Sequence, residues 1–196
     1  MDPRLIWILI AIAVVVVLGV VWYEFRRRHS ATLRERFGPE YDRVVHHVGN
    51  VKQAEASLEA RARRVASLHI RPLTADDAAR YGEAWRNVQE RFVDDPRGAV
   101  TEADRLVGEV MHARGYPLGD FEQRVEDISV DHPHVVMNYR AAREIAQAHA
   151  RGQASTEDLR QAMVHYRALF DDLLETAARD IEVQREHERD TARGRR

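Results

Sequence analysis

The sequence predicts an all-α protein, with one N-terminal transmembrane helix followed by a soluble helical bundle of about five to six helices. Three observations support this prediction. Residues 5–23 form an unbroken apolar run, 6 prolines divide the chain, and the apolar residues between the prolines recur at three- and four-residue steps. The alternation of apolar and polar residues that is typical of strands is missing.

The apolar run at residues 5–23 is predicted to be an uncleaved membrane anchor, preceded by a short tail at 1–4. It reads LIWILIAIAVVVVLGVVWY and contains no charged residue. A helix of this length, at about 1.5 Å per residue, covers roughly 30 Å, which is the thickness of the hydrocarbon layer. Trp7 and Trp22 lie near its two ends, where aromatic residues favour the membrane interfaces, and no signal-peptide cleavage site follows. A buried core helix is the alternative, but it would be expected to carry polar residues on one face.

The basic juxtamembrane segment at residues 24–38 predicts the orientation of the anchor. Arg26, Arg27 and Arg28 directly follow the apolar run, whereas Arg4 is the only basic residue before it. By the positive-inside rule, the soluble domain faces the cytoplasm and the protein lies in the cell (inner) membrane. The same arginines could also bind anionic lipid headgroups, which would make the segment a lipid-surface sensor.

Residues 39–181 are predicted to form one helical bundle domain, which begins with a long helix. From Pro39 to Leu68 the apolar residues keep a heptad-like spacing, and Glu55 is the one violation. The remaining residues, 182–196, are mostly charged and are predicted to form a disordered tail.

Capping residues mark the later helices. Thr74, Asp131 and Ser155 are predicted to begin helices, the Asp95–Pro96 step separates two of them, and Gly115 ends one.

The aromatic residues Tyr81, Trp85 and Phe92 fall on one helical stripe. Rings at this spacing are typical of a helix packed into a core, although aromatic residues next to arginines could also stack on nucleic-acid bases. The near balance of 30 basic and 32 acidic residues argues against nucleic acid as a partner.

Four strings resemble a family of small bacterial proteins described from genomes as conserved hypothetical, membrane-anchored or secreted helical proteins. They are RYGEAWRNVQERFVDDPRGAV (80–100), RGYP (114–117), SVDHPHVVMNYRAA (129–142) and STEDLRQAMVHYRALFDDLL (155–174). The resemblance covers most of residues 37–178. It implies one anchored helical unit and, because no activity is known for the family, it assigns no catalytic residue.

Asp131, His132 and His134 are the candidate metal ligands. Carboxylate and imidazole groups are the donor types that zinc prefers. Two histidines two residues apart diverge on a helix, however, so both would reach one ion only if the segment were extended. The alternative interpretation is that Asp131 caps a helix with Pro133 in its first turn and that no metal binds.

Arg140 and Arg143, close to Tyr139 in sequence, could bind a carboxylate or phosphate, but surface ion pairs are the simpler expectation.

The function predicted from the sequence is that of an interaction or scaffold module at the membrane, which binds a partner protein or assembles with itself. The chain has no cysteine and no motif of a nucleotide-binding, hydrolase or zinc-protease site. We therefore expect no enzymatic activity and no cofactor. The alternative is a protein that binds a small ligand or a metal through residues 131–139, with Asp94 and Asp95 in the same cleft.

Overall fold

The computed structural model describes residues 16–18, 20, 23–24 and 27–193, with side chains up to residue 175. Every regular element in this part of the chain is an α-helix, which confirms the all-α prediction. Residues 27–37 form α1. The later helices are α2 (Pro39–Val48), α3 (Val51–Ala66), α4 (Ala75–Arg91), α5 (Pro96–Arg114), α6 (Phe121–Asp131), α7 (Val136–Ala150) and α8 (Thr156–Arg193).

The chain divides into two compact units, Met1–Glu59 and Ala60–Arg196, where the sequence predicted a single domain over residues 39–181. The core of the first unit includes part of the predicted basic juxtamembrane segment at 24–38. Leu33 and Phe37 of α1 are 7% and 0% exposed. The segment is therefore a helix with an apolar face as well as a basic stretch.

The predicted long helix from Pro39 to Leu68 is broken at Gly49, and the prediction of one continuous helix was wrong. Gly49 has a φ of 70°, in the left-handed region that ends helices, and its amide donates to the Val45 carbonyl. The Asn50 side chain then accepts a hydrogen bond from the Gln53 amide at 3.2 Å, which caps the start of α3. The apolar spacing continues across this turn but does not mark one buried face, because Val51 beside the break is 47% exposed.

Glu55, which violated the apolar spacing, is buried because it has a partner. Its side chain is 6% exposed and accepts a hydrogen bond from the Tyr41 hydroxyl at 2.9 Å. Burial, and then the neighbouring Glu55, raises the pKa of Tyr41. The apparent violation is therefore a polar link between α2 and α3.

The second unit is built from α4 to α8, and in it α8 packs against α4, α5 and α7. Trp85 of α4 stacks on Phe170 of α8 with ring centroids 4.7 Å apart, and Tyr81 and Phe92 pack on the same core. The aromatic stripe of α4 is therefore part of the core.

Side chains cap the helices of the second unit largely as predicted. The Thr74 hydroxyl accepts from the Asp77 amide at 3.1 Å and the Asp95 carboxylate accepts from the Gly98 amide at 2.9 Å. At the start of α8, Ser155 and Asp158 accept hydrogen bonds from each other's amides, a reciprocal capping box.

The backbone of α8 remains helical to Arg193, although residues 182–196 were predicted to be disordered. This stretch contains neither proline nor glycine before residue 194 and is rich in glutamate and arginine, which are good helix formers. Helix propensity therefore outweighs the high charge along most of the predicted tail.

Most of the predicted membrane span, residues 5–23, lies outside the described residues. Within the residues that the structure describes, no helix combines the length and the apolar character needed to cross a bilayer.

Gly115 ends α5 at a point where another segment leaves no space for a side chain. Its φ is 100°, and an added Cβ would overlap the His69 carbonyl oxygen. The Arg71 amide donates to the Arg114 carbonyl at 2.8 Å, so the segment before α4 is hydrogen-bonded to the end of α5.

We expect Gly115→Ala to lower the free energy of unfolding by more than about 2 kcal/mol, because backbone strain and overlap add. Gly152→Ala is the matched control: Gly152 also has a positive φ, but an added Cβ would meet nothing within 4 Å. It should cost only about 1 kcal/mol. Denaturant titration followed by Trp85 fluorescence, with Trp7 and Trp22 replaced by Phe, measures both. Equal losses for the two variants would contradict the packing argument.

Candidate functional site

The candidate metal ligands Asp131, His132 and His134 are held apart. Asp131 is the last residue of α6, and its carboxylate accepts a hydrogen bond from the Tyr116 hydroxyl at 2.9 Å. The prediction that Asp131 caps the next helix was therefore wrong. His132 is buried and His134 is exposed. The turn at 133–135 separates α6 from α7 and orients the three side chains toward different surroundings.

His132 belongs to a buried charged cluster that joins three helices. Its Nδ1 contacts the Asp172 carboxylate of α8, and its Nε2 lies 3.3 Å from Nη1 of Arg114. The same Arg114 nitrogen donates to the Leu173 carbonyl at 3.1 Å. His132 and Arg114 are 3% and 2% exposed. Since both ring nitrogens of His132 have protein partners, its role here is to connect α6, α5 and α8.

No group of three or more histidine, cysteine, aspartate or glutamate residues could hold a metal ion within the described part of the chain. Asp94 and Asp95 also do not join Asp131 in a cleft, as the alternative hypothesis required. Asp95 caps the first turn of α5, whereas Arg114, the neighbour of His132, ends that helix. The two ends are roughly 28 Å apart at 1.5 Å per residue.

Arg61 and Arg64, at the end of α3, form a second polar cluster with α6. Arg61 lies 3.1 Å from Glu126, and Arg64 lies 3.0 Å from Glu126 and 2.8 Å from the buried Asp127. Hydrogen bonds to the two carboxylates raise the pKa of Arg64, although burial opposes them. The cluster stabilises the buried charge of Asp127.

A third polar cluster lies where α5, α6, α7 and α8 meet. The Tyr166 hydroxyl of α8 donates to the Asp104 carboxylate at 2.9 Å, and Arg143 of α7 pairs with the other oxygen of Asp104, also at 2.9 Å. Burial, followed by the charge of Asp104, raises the pKa of Tyr166 well above its usual value. Asp104 is therefore satisfied from two helices.

Tyr139 of α7 lies in the same cluster, but its hydroxyl does not form a hydrogen bond like that of Tyr166. Its ring contacts Phe121 edge-on at 5.0 Å and Tyr166 at 6.5 Å, and the residue is 0% exposed. Within the described chain its hydroxyl oxygen has no hydrogen-bond partner. Burial raises the pKa of Tyr139 to about 12, so it keeps its proton at neutral pH. A buried phenol without an acceptor costs about 1–3 kcal/mol.

Burial has the largest effect on the pKa of Tyr139 and raises it, whereas the next largest effect, a lowering, comes from the charge of Arg124 on α6. Its guanidinium carbon lies 6.0 Å from the centre of the Tyr139 ring, and an added Cβ on Gly108 would be 3.2 Å from its Nη1. Its Nε is buried without a hydrogen-bond partner among the described residues. Arg140 forms the predicted ion pair, with Glu122 at 3.0 Å, although its side chain is only 13% exposed.

An open groove of about 170 Å³ lies between the end of α4 and α8. Phe92, Met163 and Val164 supply its apolar wall, and Val164 is 50% exposed. Gln89, Arg160 and Arg167 complete the lining. This groove is concave and apolar, unlike the packed ionic clusters.

The arginines predicted to flank the membrane are only partly described. Arg27 and Arg28 are exposed, and Arg28 lies 3.9 Å from Glu24. Arg26 lies outside the described residues. Farther along α1, the exposed Arg34 pairs with Asp42 at 2.8 Å.

No protein-family model, curated protein or solved structure matches this chain. The resemblance to the small bacterial family therefore stays a prediction, and the candidate sites depend on geometry alone.

Two buried tyrosines allow a matched test of the third cluster. We expect Tyr166→Phe to lower the free energy of unfolding by about 1–2 kcal/mol, because it leaves a lone pair of Asp104 unsatisfied. Tyr139→Phe should raise the free energy of unfolding by about 1–3 kcal/mol, since it removes a buried hydroxyl without a partner in the described chain. Denaturant titration in a buffer containing only chloride as anion, with the Trp85 reporter, measures both. A larger loss for Tyr139→Phe would contradict this assignment.

Proposed function

We propose that this chain is a single-pass membrane protein whose helical part binds a partner protein at the cytoplasmic face of the cell (inner) membrane. The observation that carries the proposal is the apolar groove between α4 and α8, with Val164 half-exposed in it. Apolar surface in a concave site with a polar rim is typical of protein interaction sites.

The occupant that fits this groove is an amphipathic helix carrying one large apolar side chain and nearby carboxylates. The groove volume of about 170 Å³ is on the scale of one such side chain. Arg160 and Arg167 on its rim pair with Glu157 and Asp171 at 2.7 and 3.4 Å. These exposed pairs each contribute little, so the arginines can exchange their partners for carboxylates of a bound helix at small cost.

The membrane anchor is supported by the uncharged run at residues 5–23 and by its few described residues. Val16, Val17, Leu18 and Val20 are helical, and each exposes between 57% and 62% of its surface. Aliphatic side chains uncovered along a helix favour a lipid environment over water. A membrane tether raises the local concentration of the groove, so a weak helix contact becomes productive.

A substitution in the groove tests partner binding. We expect a photo-crosslinking amino acid at position Gln89 to capture one defined partner in cells, and Val164→Glu to reduce that product at least fivefold through charge repulsion and lost burial. Met137→Glu is the matched control, because Met137 is 43% exposed on α7 and does not line the groove.

Binding of the purified partner should require an acidic helical segment in it. Crosslinking that Val164→Glu leaves unchanged would contradict the proposed site. A product of twice the chain mass would assign the groove to a second copy of this chain and overturn the proposal of a separate partner.

The anchor is tested by extraction at alkaline pH. The full chain should stay with the membrane pellet after carbonate treatment, whereas Val17→Arg combined with Leu18→Arg should release most of it, since each central arginine costs roughly 2.5–3.5 kcal/mol. Release of the unaltered chain would contradict the anchor.

The orientation is tested by protease accessibility. A C-terminal tag should resist protease in intact spheroplasts, and its digestion there would contradict the cytoplasmic orientation.

A further inference from the structure

The two partners of His132, directly after α6, fix the position of the proton on its ring. Nδ1 contacts the Asp172 carboxylate, which only accepts hydrogen bonds when it is ionised, so Nδ1 must carry a hydrogen. Nε2 lies 3.3 Å from Nη1 of Arg114, and a guanidinium only donates, so Nε2 must accept. The two contacts together require a neutral ring that is protonated at Nδ1.

A second proton on His132 would find no acceptor. It would join Nε2 and point at Nη1 of Arg114, so that two donors would face each other. The His132 side chain is 1% exposed and Arg114 is 2% exposed, so water cannot replace the lost acceptor. The contact between His132 and α5 must therefore open when the ring takes up this proton.

The charges around the ring act in both directions. Arg114 of α5 is buried, so its repulsion of a charged ring is poorly screened. Asp172 of α8 has 31% of its side chain exposed and Asp131 of α6 is exposed, so water screens the attraction of both carboxylates. The ring of Tyr116 is centred 6.5 Å from that of His132, and its hydroxyl donates to Asp131. The repulsion acts at the atom that the proton joins, and the screened carboxylates offset only part of it.

Opening at Nε2 of His132 also affects α8. The Arg114 nitrogen that faces His132 also donates to the Leu173 carbonyl at 3.1 Å. A displaced guanidinium would lose both contacts at once. Protonation of His132 therefore weakens the contacts of α5 with His132 and with α8 together.

We propose that His132 is an acid-sensitive latch, which holds α8 on α5 and α6 while its ring is neutral and loosens this part of α8 when the ring is protonated. Histidine is the side chain whose charge ordinarily changes between about pH 5 and pH 8. In the unfolded chain the ring takes up its second proton freely, so the unfolded state binds more protons and stability falls as the pH falls. The latch does not depend on the proposed partner or on the groove between α4 and α8.

Denaturant titration of the full chain in detergent, at pH 7.5 and pH 5.5, tests the latch. Over this interval the folding equilibrium constant of the unaltered chain should fall about three- to tenfold more than that of His132→Asn, which cannot take up a proton. His134→Asn is the matched control, because His134 is exposed and lies two residues away, and it should keep the full pH dependence. Equal pH dependence in the unaltered chain and in His132→Asn would overturn the proposal.

Removal of the cation tests the role of Arg114. Arg114→Gln should lower stability at pH 7.5, because the contacts with His132 and Leu173 are lost, but it should also reduce the dependence of stability on pH. An undiminished pH dependence in this variant would contradict the repulsion on which the latch depends.

Two readouts on the unaltered chain need no variant. Nitrogen-15 spectra at pH 7.5, with the ring assigned through its coupling to the His132 backbone, should show Nδ1 protonated and Nε2 unprotonated. A ring protonated at Nε2 at this pH would overturn the proposal. Hydrogen exchange of the amides at 171–175, corrected for the intrinsic rate at each pH, should accelerate at pH 5.5, and unchanged exchange would contradict the loosening of α8.

Discussion

The second unit depends on polar contacts that join its helices at buried and part-buried positions. Arg143 of α7 pairs with Asp104 of α5, Arg64 of α3 pairs with Asp127 of α6, and His132 contacts Asp172 of α8. The Asp127 side chain is fully buried, so loss of Arg64 would remove a partner from a buried charge, which is more costly than the pair is stabilising. Each contact also matches two helices at one register, because a shift by a single turn would separate its partners. The apolar core supplies the driving force for packing, and the ion pairs select one arrangement of it.

The parts of the fold that local chemistry controls could be predicted from the sequence. Thr74, Asp95 and Ser155 cap helices because their side-chain oxygens reach an amide three residues on, and this geometry depends on nothing else in the chain. Gly49 shows the limit of this reasoning. Apolar spacing that continues across a glycine and an asparagine indicates one helix, but those two residues carry the usual signals for a helix end and a helix start.

The polar clusters could not be predicted, because their members meet only through tertiary packing. Asp131, His132 and His134 are close in sequence and were therefore grouped. In the structure Asp131 contacts Tyr116, whereas His132 contacts Asp172 and Arg114. The Tyr139 hydroxyl carries no local signal either, because its lack of an acceptor within the described chain is visible only once the helices are assembled.

The contribution of α8 to these clusters has a consequence for synthesis of the protein. The Tyr166 hydroxyl joins Asp104 across 62 residues, and the Leu173 carbonyl accepts from Arg114 across 59. Until α8 leaves the ribosome, Asp104, Arg114 and His132 lack their α8 partners, and burying them would be costly. The earlier helices can therefore form during translation, but their final packing must wait for α8. Such long-range closure should also make this bundle fold more slowly than helical proteins stabilised by contacts between sequence neighbours.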